Sequence, residues 1–182
     1  VPVKETLTLK SATFAQGRQM GKTLILPVRW NLATAKPVLG INPAEKLLTN
    51  GIRGSLKYSD FECCSWTNND SVSFTIDLLK PEVLNTLTLG CITNNGMAIH
   101  KPASVKVEVS DDNSNFREAA MQSFTPEEIF REGNFIENLP LKLGGTQGRY
   151  VRVSAKGPGV CPASHVRSGQ ASRIFFDEVM LE

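Results

Sequence analysis

The sequence predicts an all-β sandwich, and three observations carry that reading. Apolar and polar residues alternate with a period of two in several short stretches, most clearly in residues 101–116, KPASVKVEVSDDNSNF. Val105, Val107 and Val109 share one face there and Lys106, Glu108 and Ser110 the other, which describes a half-buried strand. Turn-forming residues punctuate these stretches, as where Asp111, Asp112, Asn113, Ser114 and Asn115 end that strand before Phe116. Only one short segment carries a helix-start signal, so sheets must supply the core.

Taken in order, residues 1–30 read as a β-hairpin, LTLKSATFA and TLILPVRW joined by a turn at 16–21, with Pro27 marking an edge or a strand end. A hairpin of that size is too small to fold alone. Residues 31–48 hold Pro37, Gly40 and Pro43 and read as a junction without a regular element. In 47–66, Gly51 and Gly54 lie among polar residues ahead of several aromatics, which predicts a folded loop of the kind that carries binding groups. SVSFTIDLLKP places Phe74, Ile76 and Leu78 on one face, and NTLTLGC repeats the pattern with Leu87, Leu89 and Cys91, giving two strands. TNNGMAIHKP is a polar turn at 94–96 followed by a climb to His100. Thr125 as N-cap, Pro126 at the first helical position and Glu128 three residues after the cap form a capping box for a helix of about two turns. Residues 149–155 alternate again, with Val151, Val153 and Ala155 on one side. GPGVCPASHVRSGQAS is a long loop, and RIFFDEVMLE is apolar at both parities, so this last strand is buried on both faces or bulged near Asp177. Pairing between the two ends of the main domain gathers the loops at one rim, a geometry that suits a ligand.

The 182 residues suit one domain, or a domain and a fragment, with a self-sufficient core. A net charge of +2 from 20 basic and 18 acidic residues gives no field that argues for nucleic acid or an anionic membrane. The chain opens on a polar, alternating segment and not on a signal peptide, so a native start upstream is expected. Cys63, Cys64, Cys91 and Cys161 lack paired CxxC spacing, and a bridge between neighbours is strained, so buried or free thiols are expected. Any bridge from the adjacent pair would reach Cys161 or Cys91.

No reactive constellation can be assembled. There is no GxSxG elbow, HExxH helix or P-loop, and the acid pairs Asp111–Asp112 and Glu127–Glu128 have turn and helix-start explanations. The loops instead hold groups that sugar recognition uses. Tyr58, Phe61 and Trp66 suit stacking on a pyranose ring, while Asp60, Asn69, Asn94, Asn95, His100, His165 and Arg167 suit bonds to its hydroxyls. Interior uses compete with these. Trp66 stands just before a core strand and suits packing at the end of the sandwich, and His100, ahead of Lys101 and Pro102, suits a satisfied structural histidine.

The series LTNGIRGS, SW before FTIDL, KPASVKVEVSDDNSNF, RYVRVSAKG, CPASH and FFDEVMLE, in that order, resembles the discoidin or coagulation-factor C-type domain, the galactose-binding-like fold of family 32 carbohydrate-binding modules. The resemblance covers residues 31–182 and points to modules at the C-terminus of secreted bacterial glycoside hydrolases of the chitobiase or β-hexosaminidase kind. Residues 1–30 and the following junction resemble the end of an immunoglobulin-like domain that precedes such modules. The resemblance implies an eight-stranded jelly-roll β-sandwich with an extra N-terminal hairpin, a glycan site on the loops of one rim, and no catalysis. Its implied ligands are galactose- or N-acetylhexosamine-type glycans, bound by a monomeric, extracellular or periplasmic module joined to a parent enzyme. It also implies a structural calcium, whose ligands here would be Asn50, in place of an aspartate, and Glu178. Two positions depart from the family pattern: Ser164 and Arg173 stand where relatives carry aromatics. That shifts the expected ligand toward Tyr58 and Phe61, or makes this copy a structural interdomain module; adhesion to a membrane or cell surface is the remaining alternative.

Overall fold

The computed structural model describes residues 5–40, 42–57, 59, 62–66 and 71–182. Alternation becomes strand wherever it was read. The N-terminal hairpin joins β1 (Leu7–Ala15) to β2 (Arg18–Val28) through a two-residue turn, with Gln16 and Gly17 both at positive φ, the conformation that matches the twist of paired strands. The turn is thus shorter than the expected 16–21, and residues 18–21 belong to β2. The hairpin forms its own two-stranded sheet and stays largely exposed, with Leu9, Phe14, Met20, Leu24 and Ile25 all open. It meets the sandwich at its base, where Val28 is buried and the Arg29 N–H donates to the Gly51 carbonyl.

The sandwich is built on two long bent strands. β3 (Val38–Leu39), β4 (Cys64–Trp66), β5 (Ser71–Asn94), β6 (Ser104–Ser110), β7 (Arg117–Ser123), β8 (Asn134–Lys156) and β9 (Ile174–Leu181) form one continuous hydrogen-bonded set in the order β4-β9-β5-β8-β6-β7, with β3 on β5. β5 breaks register between Asp77 and Glu82, where Leu79 takes a positive φ. Asp77 fixes that bend by accepting from the Leu79 N–H and, bidentately, from Arg149. β8 breaks register a little further along, at Gly144 and Gly145 opposite Asn85, both at positive φ where a Cβ would be strained. Each strand therefore serves both layers. One layer holds β3, the first half of β5, the second half of β8, β6 and β7; the other holds β4, β9, the second half of β5 and the first half of β8. Setting aside the two-residue β3, each layer has four segments, the eight-stranded arrangement expected. One core lies between them, formed by Phe74, Ile76, Val107 and Val153 on one side and Leu89, Leu141, Phe176 and Val179 on the other.

Several local readings are sharpened. The stretch expected to be an irregular junction contains a 3₁₀ helix, Pro43–Thr49, capped by the Asn42 side chain with Pro43 at its start. The two strands expected around Lys80–Pro81 are one bent strand. The capping box forms as read, with Thr125 Oγ1 accepting from the Glu128 N–H and Glu128 Oε2 from the Thr125 N–H, but α1 (Pro126–Ile129) is a single turn. The last strand is bulged as expected: Leu89 and Cys91 face Val179 and Phe176, so one extra residue sits near Asp177 and Glu178. Asp112 accepts from the backbone of Ser114 and Asn115 and from the Asn115 and Ser110 side chains, which hold its carboxyl far below the usual range; it is a turn former. No disulfide joins the four cysteines, and burial pushes the Cys64 thiol up to about 12.

Candidate functional site

At the rim where β9 begins, three loops converge. The 94–100 turn is pinned to residue 173: the Arg173 N–H donates to the Ala98 carbonyl, the His100 N–H to the Arg173 carbonyl, and Arg173 Nη2 to the Met97 carbonyl at 2.6 Å. The loop after β8 closes on itself, the Cys161 N–H donating to Gln170 and the Gly169 N–H back to Cys161, with tight turns at 162–165 and 165–168. The third wall is the end of α1 and the turn into β8, tied in by the Asn95 N–H donating to the Gly133 carbonyl. Between them lies a pocket of about 350 Å³ lined by Asn95, Phe130, Glu132, Gly133, Pro162, Ser164, His165 and Val166. It offers one aromatic ring, two apolar side chains, an amide, a hydroxyl and a carboxylate, the mixture that small polar ligands with apolar faces require.

His165 forms part of the pocket wall and His100 lies behind it. His100 is fully buried and His165 nearly so, their Nε2 atoms 3.1 Å apart, with Phe130 edge-on to both rings. His165 Nδ1 accepts from the Arg167 N–H at 2.9 Å, so its proton resides on Nε2 and is donated to His100 Nε2. His100 must then carry its proton on Nδ1, which donates to Ser172 Oγ at 2.7 Å, and that hydroxyl faces Cys161 Sγ at 3.6 Å. Burial, and then the neighbouring imidazole, push His100 down to about 4, so that ring is neutral near pH 7.

The sequence-derived candidates divide between core, rim and pocket wall, and Trp66 and His100 take the interior roles their places in the sequence suit. Trp66 is a core residue, 8 % exposed, stacked on Phe74 at 6.2 Å and tilted against Phe176 at 5.4 Å; it touches no rim. His100 has no open surface and both ring nitrogens are engaged, so it is no direct ligand for a hydroxyl. His165 lines the pocket, but with both nitrogens used it does so as a wall. Arg167 and Asn94 are not lining residues: Arg167 Nε donates to the Gly96 carbonyl at 2.8 Å, and the Asn94 backbone pairs with Ile99. Asn95, like His165, is a sequence-derived candidate that lines the pocket. Tyr58, Asp60, Phe61 and Asn69 lie outside the described residues. Phe130, Glu132 and Ser164 were not read as ligands. The capping box marked α1, but nothing in the local pattern said that Phe130 would reach a loop more than thirty residues away and supply an aromatic beside Ser164.

Glu178 is hydrogen-bonded to the residue that follows Asn50. The Gly51 N–H donates to Glu178 Oε2 at 3.1 Å, while Asn50 Oδ1 accepts from the Ile52 N–H. Glu178 is fully buried, its Oε1 has no partner, and burial pushes its carboxyl up to about 9. An orphaned buried carboxyl oxygen suits a hard cation, and Asn50, whose Oδ1 already accepts from Ile52, would add only a neutral oxygen, leaving one anionic ligand. Among the described residues no cluster of three or more His, Cys, Asp or Glu side chains forms a metal site.

No protein-family model matches the chain, and no curated protein is similar to it in sequence. Solved structures are. The CpGH89 CBM32-6 module of Clostridium perfringens aligns over 84 % of this chain and 98 % of its own, with a TM-score of 0.52 and 16 % identity. The lectin domain of lectinolysin, solved with Lewis B antigen, covers 84 % and 96 % at 0.52 and 14 %. Chitosan-binding module 1 of the Paenibacillus sp. IK-5 chitosanase/glucanase covers 85 % and 99 % at 0.50 and 17 %. The order of strands, the two bent strands shared between layers and these likenesses agree: the chain has the discoidin-like β-sandwich fold of the family 32 carbohydrate-binding modules.

Proposed function

We propose that the chain is a non-catalytic glycan-binding module whose ligand occupies the pocket between Asn95, Phe130 and Ser164. The observation that carries this is the pocket's make-up, an aromatic ring among an amide, a hydroxyl and a carboxylate at a loop rim. Phe130 offers a surface for the apolar face of a pyranose, and the polar groups suit its hydroxyls. Similar folds bind a Lewis antigen and chitosan, which supports galactose- and N-acetylhexosamine-type glycans as the class to test. In this reading the module is extracellular and tethers a glycoside hydrolase to its substrate, weak single-site binding being made useful by avidity. Among the described residues no helix is long and apolar enough to cross a membrane. Titration of galacto- and N-acetylhexosamine-terminated glycans should show saturable binding that Phe130→Leu weakens by roughly tenfold, about 1.4 kcal/mol, with little change in melting temperature. Silence across those glycans would remove the reading.

Calcium at Asn50 and Glu178 belongs to the same proposal, as a structural ion. A raised carboxyl contributes stability that is fully present below its unfolded value of 4.5 and is lost as pH rises toward about 9. With a chelator present, the melting temperature should therefore fall across that window, and calcium should flatten the fall by satisfying the ionised form. Glu178→Gln should abolish both the slope and the calcium response; a calcium effect that survives in this variant would place the ion elsewhere.

The exposed apolar hairpin supports a second reading, that residues 5–28 belong to the sheet of a neighbouring unit of a longer chain. A hairpin that belonged to the sandwich would pack on it, as the purely structural role required, and this one stands off. Deleting residues 1–26 should leave the sandwich's melting temperature within about 2 °C of the parent value; a larger fall would tie the hairpin to the sandwich.

A further inference from the structure

The hydrogen bonds behind the pocket run in one direction. The Arg167 N–H fixes His165 in its Nε2–H form, His165 donates to His100, and His100 donates to Ser172. His165 lies in the loop that supplies Pro162, Ser164 and Val166 to the pocket, whereas His100 lies on the segment stitched to Arg173. The histidine pair is therefore the side-chain bond between that loop wall and the body of the rim, and a second tie is Arg167 Nε on Gly96. We propose that His100 is the positioning residue of the glycan pocket, latching the 161–172 loop through His165 and Ser172, and that protonation of the pair releases the wall.

The release follows from the donor and acceptor roles. A proton on His100 Nε2 would set two N–H groups against each other at 3.1 Å, and a proton on His165 Nδ1 would oppose the Arg167 N–H. Among the described residues no carboxylate is hydrogen-bonded to either imidazole. The ionisable groups around the pair are the Cys161 thiol; Glu132 on the pocket wall; Arg167 and Arg173, engaged with the Gly96 and Met97 carbonyls; and Lys101, paired with Glu137. A single protonation therefore has no local partner, and burial holds His100 neutral until about pH 4. The Arg167 bond also distinguishes the pair from two imidazoles poised for a metal, because it keeps the proton on the His165 nitrogen that a metal would need.

This inference rests on the pocket being the glycan site, and the experiment separates the two. On the full chain, long-range proton–nitrogen spectra near neutral pH should show His165 as the Nε2–H tautomer and His100 as the Nδ1–H tautomer. Amide protection over 161–172 should fall as His100 is protonated, and should already be low at neutral pH in Ser172→Ala and in His100→Phe, which keeps a ring against Phe130. Glycan binding should be halved at about pH 4 and drop about tenfold for each pH unit below. The opposite His165 tautomer, retention of zinc by both imidazoles, or protection indifferent to pH and to both variants would overturn the latch. Glycan affinity unchanged with the loop open would overturn its positioning role. If the latch behaves as described but no glycan binds near neutral pH, the glycan reading fails and the latch stands.

Discussion

Asp177→Ala is expected to lower the stability of the sandwich by about 3–5 kcal/mol, because it removes one member of a buried ion pair. Asp177 is fully buried in the bulge of β9. Its Oδ2 accepts from Arg53 Nε at 2.6 Å and from the Gly54 N–H at 3.0 Å, and Arg53 in turn reaches Asn138 with Nη1. Without the carboxylate, a guanidinium only 19 % exposed and a buried N–H lose their acceptor. The pair has its place because residue 90 is glycine: a Cβ there would lie 1.9 Å from Asp177 Oδ1 and 2.7 Å from Arg53 Nη2. Gly90→Ala should therefore destabilise through the same network. Chemical denaturation of both variants measures the effect, and losses below about 1 kcal/mol in each would show that the pair is not the tie between the 51–54 loop and β9.

Trp66→Ala should cost about 3–5 kcal/mol as well, and for a different reason: it empties the space between Phe74 and Phe176. Glycan affinity of the folded fraction should be unchanged, since Trp66 lies in the core and not on the rim. The reverse pattern, lost affinity with intact stability, would favour the stacking role that its aromatic ring also suits over the packing role.

That contrast shows what the sequence could and could not disclose. Strands were legible where a single parity was apolar, as with Val105, Val107 and Val109, because burial on one face imposes a period of two. Proline hid two features. Pro81 made one bent strand look like two, and Pro140, inside the Leu139, Leu141, Leu143 alternation of β8, hid the first half of that strand altogether. The short capped helix Pro43–Thr49 was masked by its own Pro and Gly neighbours, although Asn42 followed by Pro43 is a start signal. The bulge at Asp177 could be read, since an apolar run of both parities demands burial on both faces or a register break. The site was less legible because hydrogen-bonding capacity is spent by neighbours that lie far along the chain. His100 and His165 are ligand-type residues whose nitrogens are consumed by each other, by Ser172 and by one backbone N–H. Phe130 is an ordinary aromatic until α1 places it against them.

The glycan assignment is tested most directly by titrating a ¹⁵N-labelled full chain with galactose and N-acetylglucosamine while following its backbone amides. The predicted result is saturable shifts centred on Asn95, Phe130, Gly133, Ser164 and Val166, with β6 and the hairpin silent. Shifts centred on residues 58–61, or no shifts with either sugar, would contradict a site in this pocket.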